Sequence, residues 1–222
     1  MSTIRTLRVT GKGMLRIRPD LTRLTLTLGG VCPEYGETLK KSSRDTEQLK
    51  DLFTELGFAR SDLKTLQFDV DPEYEGYEEG GVYRQRLAGY RFRHVAKIEF
   101  ASDNDRLGKI LFALADSPVD PEFGISYTVR DPEAAKNQLL AAAVKDAGEK
   151  AKVLAKAAGV KLKDLQSIDY AWGQNDFEVR PVNRMLKADR SMRTAASGSF
   201  DMDIEPDDME VTDTVTVTWE IG

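Results

Sequence analysis

The sequence contains a single cysteine, Cys32, and a single histidine, His94, among 222 residues. One cysteine cannot form an internal disulfide, and one histidine with one cysteine is too few for a structural zinc site. An excess of positive charge is also missing, since the formal net charge is -5 and general nucleic-acid binders are usually basic. The sequence therefore argues against a disulfide-stabilised domain, a zinc protein and a general nucleic-acid binder.

Long apolar runs are absent as well, and none approaches the length needed to cross a bilayer. The N-terminal segment Met1-Ser-Thr-Ile-Arg-Thr-Leu-Arg8 has arginines where a secretory signal needs an apolar core. We therefore expect a protein without a transmembrane segment that stays in the cytoplasm. A signal peptide that had been removed would leave the same sequence.

What the sequence does contain is a series of alternating segments typical of half-buried β-strands. Val9-Thr-Gly-Lys-Gly13 predicts a strand with a glycine-marked bend, and Leu24, Leu26 and Leu28 alternate with polar neighbours. Further alternating segments cover residues 66–70, 90–100, 122–130, 165–172 and 211–221.

Three segments have the spacing of amphipathic helices: residues 33–56, a short one after Asp103, and residues 131–159. The inner stripe expected for the first is Tyr35, Leu39, Ser42, Thr46, Leu49, Phe53 and Leu56. The stripe expected for the third is Leu140, Val144, Ala147, Ala151, Leu154 and Ala158. The pattern predicts an α+β fold with long amphipathic helices packed against a mainly antiparallel sheet.

A single domain is expected over residues 1–222, with two sub-lobes as the alternative and a long polar loop over residues 173–206. The loop has a basic stretch that includes Arg180, Arg184, Arg190 and Arg193 and is followed by acidic residues. These arginines are candidates for contact with a second copy of the chain or with a partner protein. A solvated flexible loop is the alternative.

Several short motifs occur in a fixed order along nearly the whole chain. They are Val9-Thr-Gly-Lys-Gly13, Arg18-Pro-Asp20, Asp62-Leu-Lys-Thr65, Pro72-Glu-Tyr74, Gly89-Tyr90, Ala143-Val-Lys-Asp-Ala147 and Val215-Thr-Val217-Thr-Trp219. This ordered set resembles the SIMPL family, a bacterial family of unknown function that includes periplasmic immunogenic envelope proteins. The resemblance implies an α+β fold, ring-like or barrel-like homo-oligomers, and a loose connection to stress tolerance or envelope integrity. It implies no catalytic residues, cofactor or metal.

Gly11-Lys-Gly13 has the composition of a phosphate-binding loop but lacks its context. Such a loop ends in Gly-Lys followed by Ser or Thr, and the helix after it directs its N-terminus at the anion. Here another alternating segment follows. A strand bulge or a close approach of another backbone is therefore expected at these glycines.

His94 and Cys32 carry the side chains that most often serve catalysis. His94 could act as a general base, but its place on an aromatic strand face indicates a packed core residue. Cys32 has no second cysteine and no convincing histidine partner, so a small buried side chain is expected. Redox sensing is the minor alternative.

Residues 71–81 are expected to form an acidic, tyrosine-bearing hairpin tip. Together with Asp69, the acids Asp71 and Glu73 begin with the spacing of a calcium loop, but Tyr74 stands where glycine is needed and Gly80 where a bidentate acid is needed. A solvated tip is therefore expected rather than a metal site. Tyr74 and Tyr77 are candidates for contact with a protein partner, because tyrosine suits interfaces.

The leading functional prediction is a non-enzymatic, self-associating scaffold or binding module without a cofactor. The first alternative is a small-ligand-binding protein or enzyme that uses the acidic tip together with Arg84 and Arg86. The second is a peptide-binding adaptor that accepts a strand at a sheet edge.

Overall fold

A computed structural model describes residues 5–170, 177–179, 186–187 and 206–222. The strands in these ranges are β1 (Arg5–Ile17), β2 (Leu21–Cys32), β3 (Lys64–Glu79), β4 (Val82–Ala101), β5 (Glu122–Thr128), β6 (Leu162–Asp169), β7 (Glu178–Val179), β8 (Leu186–Lys187) and β9 (Met209–Ile221). The helices are α1 (Tyr35–Glu55), α2 (Asn104–Asp116) and α3 (Pro132–Ala157), with a 3-10 turn at Arg60–Asp62.

The chain folds as two compact units. The described parts of Met1–Asp20, Thr128–Val179 and Pro206–Gly222 form the first, and Leu21–Tyr127 with β8 forms the second. Each unit has antiparallel strand pairs with helices packed on them, which confirms the α+β class expected from the sequence. Within the described ranges, no helix is both long and apolar enough to span a membrane.

In the first unit, helix α3 packs on a three-stranded sheet of order β1-β9-β6, in which both pairs are antiparallel. The helix starts where the Asp131 side chain accepts the Ala134 amide at 2.8 Å, and it ends before Gly159, whose φ is 68°. Its buried stripe repeats every four residues and consists of Ala135, Leu139, Ala143, Ala147, Ala151 and Ala155. The sheet supplies Val9, Val215, Val217 and Trp219 to the same core.

Part of the stripe expected for this helix is wrong. Ala147 and Ala151 are buried, but Val144 is 37% exposed and Leu154 is 48% exposed. Apart from Leu139, the residues that the helix packs onto the sheet are alanines. The reason lies in the strand that it covers.

Strand β1 lies unusually close to α3 at Gly11 and Gly13. A Cβ atom on Gly11 would lie 2.0 Å from the carbonyl oxygen of Ala143, and one on Gly13 would lie 2.2 Å from that of Leu139. The close backbone approach expected from Gly11-Lys-Gly13 is therefore present. The expected bend is wrong, because β1 runs unbroken through both glycines. At Gly11 the nearest helix residues are Ala143 and Ala147, whose small side chains permit this proximity.

A hydrogen bond adds a polar link between the same two elements. The Lys12 amide donates to Oδ2 of Asp146 at 2.7 Å, and Nζ of Lys150 lies 2.7 Å from the same oxygen. Lys150 first and the Lys12 amide second hold the pKa of Asp146 below its usual range. The carboxylate therefore stays ionised where strand and helix meet.

In the second unit, the four strands in the order β3-β4-β2-β5 form a sheet against which α1 and α2 pack. Leu24, Leu26 and Leu28 of β2 are buried, as expected. They meet Leu49 and Phe53 of α1 in one core. Helix α2 is capped as expected, since the Asp103 side chain accepts the Arg106 amide at 3.0 Å, and it contributes Leu107, Ile110, Leu111 and Leu114.

The inner stripe of α1 differs from the expected one at its N-terminal end. Tyr35 is 50% exposed and Leu39 is 37% exposed, whereas Thr38 and Asp45 are buried. Asp45 is accommodated because Nζ of Lys41 lies 2.6 Å from its carboxylate. The exposed Leu39 becomes the rim of a cleft.

Strands β3 and β4 form a long hairpin that extends beyond the end of the neighbouring strand β2. Gly80 and Gly81 both have positive φ, 62° and 79°, and make its tight two-residue turn. Strand β2 pairs with β4 only as far as Tyr90, opposite Cys32. Residues 72–89 are therefore a two-stranded segment, called the ribbon below.

The long connection expected over residues 173–206 falls largely outside the described residues. Its described parts include β7 and β8, and β8 pairs antiparallel with β5. The ladder joins Glu122 to Lys187 and Phe123 to Leu186.

Candidate functional site

One face of the ribbon exposes large apolar side chains. Tyr74 lies opposite Leu87 and Gly76 opposite Gln85, so their side chains share a face. Tyr74 is 59% exposed, Tyr83 73% and Leu87 48%. The Tyr83 ring lies across Gly76, where an added Cβ would collide with the phenol. Exposed rings on one face of a two-stranded segment are typical of a contact surface.

The opposite face of the ribbon is mainly charged, although Val82 is exposed there beside the ion pairs. Arg86 pairs with Glu75, and Arg84 lies 3.1 Å from Glu79. Tyr77 lies on this face, with the Arg86 guanidinium 5.6 Å from its ring centre. The two candidate tyrosines, Tyr74 and Tyr77, are thus on opposite faces and do not belong to one contact.

A cleft of about 240 Å³ opens beside helix α1, next to strand β3. Its lining consists of Leu39, Ser42, Ser43, Thr46, Glu47 and Lys50 from α1, Phe68 from β3 and His94 from β4. Leu39 and Phe68 form an apolar rim, since Phe68 is 44% exposed. Glu47 and Lys50 form an ion pair at 2.9 Å on the other side.

His94 is held at the base of this cleft by two threonine hydroxyls and is 7% exposed. Its Nδ1 lies 3.0 Å from Oγ1 of Thr46, and its Nε2 lies 2.8 Å from Oγ1 of Thr65. Because the Thr46 hydroxyl donates to the Ser42 carbonyl at 2.8 Å, it accepts from Nδ1–H. The Thr65 hydroxyl then donates to Nε2. The neutral ring has both nitrogens satisfied.

This geometry is unfavourable for a histidine that acts as a general base. In a nucleophile–base pair, a carboxylate normally holds the second ring nitrogen and stabilises the imidazolium. Here that place is taken by the Thr46 hydroxyl. Burial first and the positive charge of Lys50 second lower the pKa of His94, so the neutral ring is favoured. The buried position agrees with the core residue expected from the sequence.

The lowered pKa of His94 predicts an acid-sensitive contribution to stability. As pH falls, the unfolded chain binds a proton at His94 first, near the ordinary histidine pKa of about 6.5. The contribution of His94 is therefore complete above that pH and is lost as pH falls toward the lower pKa of the folded state. Urea unfolding measured between about pH 8 and about pH 5 should show this loss.

A His94→Gln variant is the control, because glutamine keeps hydrogen-bonding groups but does not titrate. Its free energy of unfolding should fall less steeply between these pH values than that of the unaltered chain. Equal slopes for the two proteins would contradict the assignment of the acid sensitivity to His94.

The other candidates from the sequence do not converge on a site. Cys32 is half-buried at the end of β2. Across the parts of the chain that the structure describes, no three His, Cys, Asp or Glu side chains are grouped to hold a metal ion. Arg180, Arg184, Arg190 and Arg193 lie outside the described residues.

The partners of His94 were missed by reasoning from the sequence. The available signal is that Ser42 and Thr46 interrupt an otherwise apolar helix stripe. A polar pair at four-residue spacing on a buried face predicts a buried polar partner, and His94 supplies it. Thr65 has no comparable signal, because it comes from a separate strand.

The antiparallel sheets and the helices packed on them define an α+β protein. The family model described as "Protein of unknown function (DUF541)" matches residues 7–219, so the chain belongs to the SIMPL family. The family resemblance drawn from the ordered motifs is therefore confirmed.

The names of individual relatives state no molecular activity. The chain is 26% identical to uncharacterized protein YggE of Escherichia coli (strain K12) over 172 residues, which cover 77% of this chain and 67% of the relative. It is also 26% identical to a 26 kDa periplasmic immunogenic protein of Brucella abortus (strain S19), over 69% of this chain and 62% of that one. A YggE protein of Edwardsiella ictaluri is 22% identical over 82% of this chain and 74% of its own.

Proposed function

We propose that this SIMPL protein is a non-enzymatic scaffold that associates with copies of itself through the apolar face of the ribbon. The observation that carries the proposal is the exposure of Tyr74, Tyr83 and Leu87 on one face of a segment in which the described residues form two strands. Two-stranded segments of this kind are marginally stable in water unless something packs on them. A second copy has the same apolar face, and contact between the two faces would remove both from water.

The two faces of the ribbon support a specific orientation. The charged face is satisfied internally, because Arg84 and Arg86 are paired with Glu79 and Glu75. By contrast, the tyrosine rings on the apolar face are exposed. In a twofold pairing the same patch on each copy contacts the other, so a single self-complementary face is sufficient.

The absence of enzymatic activity is supported by the state of His94. Both ring nitrogens are bonded to threonine hydroxyls, and burial favours the neutral form. The alternative ligand site at the tip would use Arg84 and Arg86 as its cations. Each of them already forms an ion pair with a glutamate. The scaffold proposal requires no reactive group.

Light scattering coupled to size-exclusion chromatography tests the association. We expect the unaltered chain at micromolar concentration to have a mass above that of a monomer. The double variant Tyr74→Ser/Leu87→Ser removes two facing apolar side chains and should shift the mass to that of a monomer. Because both side chains are exposed, the variant should keep its unfolding midpoint within a few degrees, or about 1 kcal/mol.

The matched control is Tyr77→Ser, which removes the same ring from the opposite face of the ribbon. It should leave the mass unchanged. A monomeric mass for the unaltered chain at both low and moderate salt would refute the proposal, as would equal dissociation by Tyr77→Ser.

The compartment and the biological process are separate proposals. The cytoplasmic location expected from the N-terminal residues stays a prediction, and the periplasmic name of the Brucella relative supports export instead. The link to stress or envelope integrity likewise stays an expectation. Fractionation of the producing cells followed by immunoblotting distinguishes the two compartments.

A further inference from the structure

Strand β3 has a short open edge outside the ribbon. It stands at the end of the sheet order, and among the described residues it pairs only with β4. On one side the open segment is limited by a shift of the ladder at Leu66 and on the other by Pro72. Residues 66–71, called the open edge below, thus remain between two features that interrupt strand pairing.

Pro72 indicates which backbone groups the open edge presents. A proline within a strand is tolerated where its missing N–H would face away from the neighbouring strand. Successive residues direct their N–H and C=O groups to alternate edges. Phe68 and Val70, two and four residues before Pro72, therefore direct their backbone groups away from β4. An added strand would find both a donor and an acceptor at each of them.

The side chains of the open edge divide into an apolar and an acidic face. Phe68 and Val70 lie on the face that α1 covers. The ring centres of Phe68 and His94 are 5.5 Å apart in an edge-to-face arrangement, and Phe68 also lines the cleft. Asp69 and Asp71 lie on the opposite face. Oδ2 of Asp69 accepts from the side-chain Nε2 of Gln67 at 2.7 Å, and neither aspartate enters an ion pair within the described residues.

The local charge selects the kind of strand that can be added. Asp69, Asp71 and Glu73 face only two cations across the ladder, Arg91 and Arg93, which leaves a net charge of -1 there. A second copy pairing its own open edge would set aspartates beside aspartates, which is unfavourable. A basic strand would instead find opposite charges at each alternate position.

We infer that the open edge binds an extended peptide segment in which basic and apolar residues alternate, by adding it to the sheet as a further strand. Its basic side chains contact Asp69 and Asp71 on one face. On the other face an apolar side chain enters the cleft between Leu39 and Phe68, whose volume of about 240 Å³ admits a leucine or phenylalanine side chain. The backbone of Phe68 and Val70 supplies the hydrogen bonds.

Fluorescence anisotropy with a labelled synthetic peptide tests the inference. The probe is a short acetylated peptide in which Arg and Lys alternate with Val and Phe. Two control peptides have the same composition: one groups all basic residues at one end, and the other carries N-methyl groups on the backbone nitrogens of alternate residues. Only the unmodified alternating peptide should bind with saturation, because only it combines the charge pattern with free backbone donors.

Protein variants locate the bound peptide. The double variant Asp69→Asn/Asp71→Asn should weaken binding by roughly fivefold at low salt, since each is an exposed charge contact. Asp164→Asn, which removes a carboxylate from the exposed strand β6, is the matched control and should leave the affinity unchanged. Hydrogen–deuterium exchange should show new protection at the amides of Phe68 and Val70 when the peptide is bound.

Any of the following results would overturn the inference. The first is equal binding of the alternating and grouped peptides, which would indicate nonspecific attraction to an acidic protein. The second is equal weakening by Asp69→Asn/Asp71→Asn and Asp164→Asn. The third is protection confined to the ribbon, or a peptide-free dimer protected at Phe68 and Val70, which would make a second copy the occupant.

Discussion

Replacing Gly11 by alanine is expected to lower the free energy of unfolding by about 3 kcal/mol or to prevent folding of the first unit. The new Cβ would lie 2.0 Å from the carbonyl oxygen of Ala143 and 2.5 Å from the amide nitrogen of Ala147. Both atoms belong to helix backbone, so no side-chain rotation relieves the clash. Helix α3 would have to move off β1, and its alanine stripe would lose contact with the sheet.

Chemical denaturation followed by circular dichroism measures this loss. Gly124→Ala is the matched control, because Gly124 also lies within a strand but an added Cβ would meet nothing within 4 Å. The control should change stability by less than about 1 kcal/mol. Equal stability of the Gly11 variant and the control would show that the strand and helix are not held as close as described.

A matching loss is expected for Gly13→Ala, whose Cβ would lie 2.2 Å from the Leu139 carbonyl oxygen. The two glycines face positions one helical turn apart on α3. They therefore define a line of close contact rather than a single tight point. Both glycines are therefore accounted for by their close packing against α3.

Local chemistry made much of the fold predictable from the sequence. Alternating leucines identified β2, Asp103 and Asp131 identified helix starts, and the acidic segment over residues 71–81 was expected to form a hairpin tip. Each of these signals acts within a few residues of the chain. They fix secondary structure and the fold class without any knowledge of distant contacts.

The face that α3 buries could not be predicted in the same way. The periodicity of its large residues favoured Leu154, yet the sheet selects alanines because Gly11 and Gly13 bring the backbones together. That constraint comes from a strand more than a hundred residues away. Steric demand from a partner overrides the hydrophobic pattern of a single helix.

The candidate site shows the same division between local and distant information. Alternation along β3 is enough to place Tyr74 and Tyr77 on opposite faces, because an odd separation changes the face. The bonds from His94 to Thr46 and Thr65 join three separate elements. Sequence spacing gives no measure of those distances, so the cleft becomes visible only in the fold.

The second large expected effect concerns two leucines on α3. Replacement by alanine should cost much stability at one of them and little at the other. Leu139→Ala should cost about 2–5 kcal/mol, since Leu139 is fully buried and its removal leaves a cavity. Leu154→Ala should cost less than about 0.5 kcal/mol, because Leu154 is 48% exposed and alanine is the stronger helix former.

Urea unfolding of both variants under one set of conditions measures the difference. The hydrophobic periodicity of the sequence alone gives the reverse order, with Leu154 as the costly position. A larger loss for Leu154→Ala would therefore mean that α3 turns its large residues toward the sheet. Such a rotation is incompatible with the close approach at Gly11, because it would put larger side chains in place of Ala143 and Ala147 there.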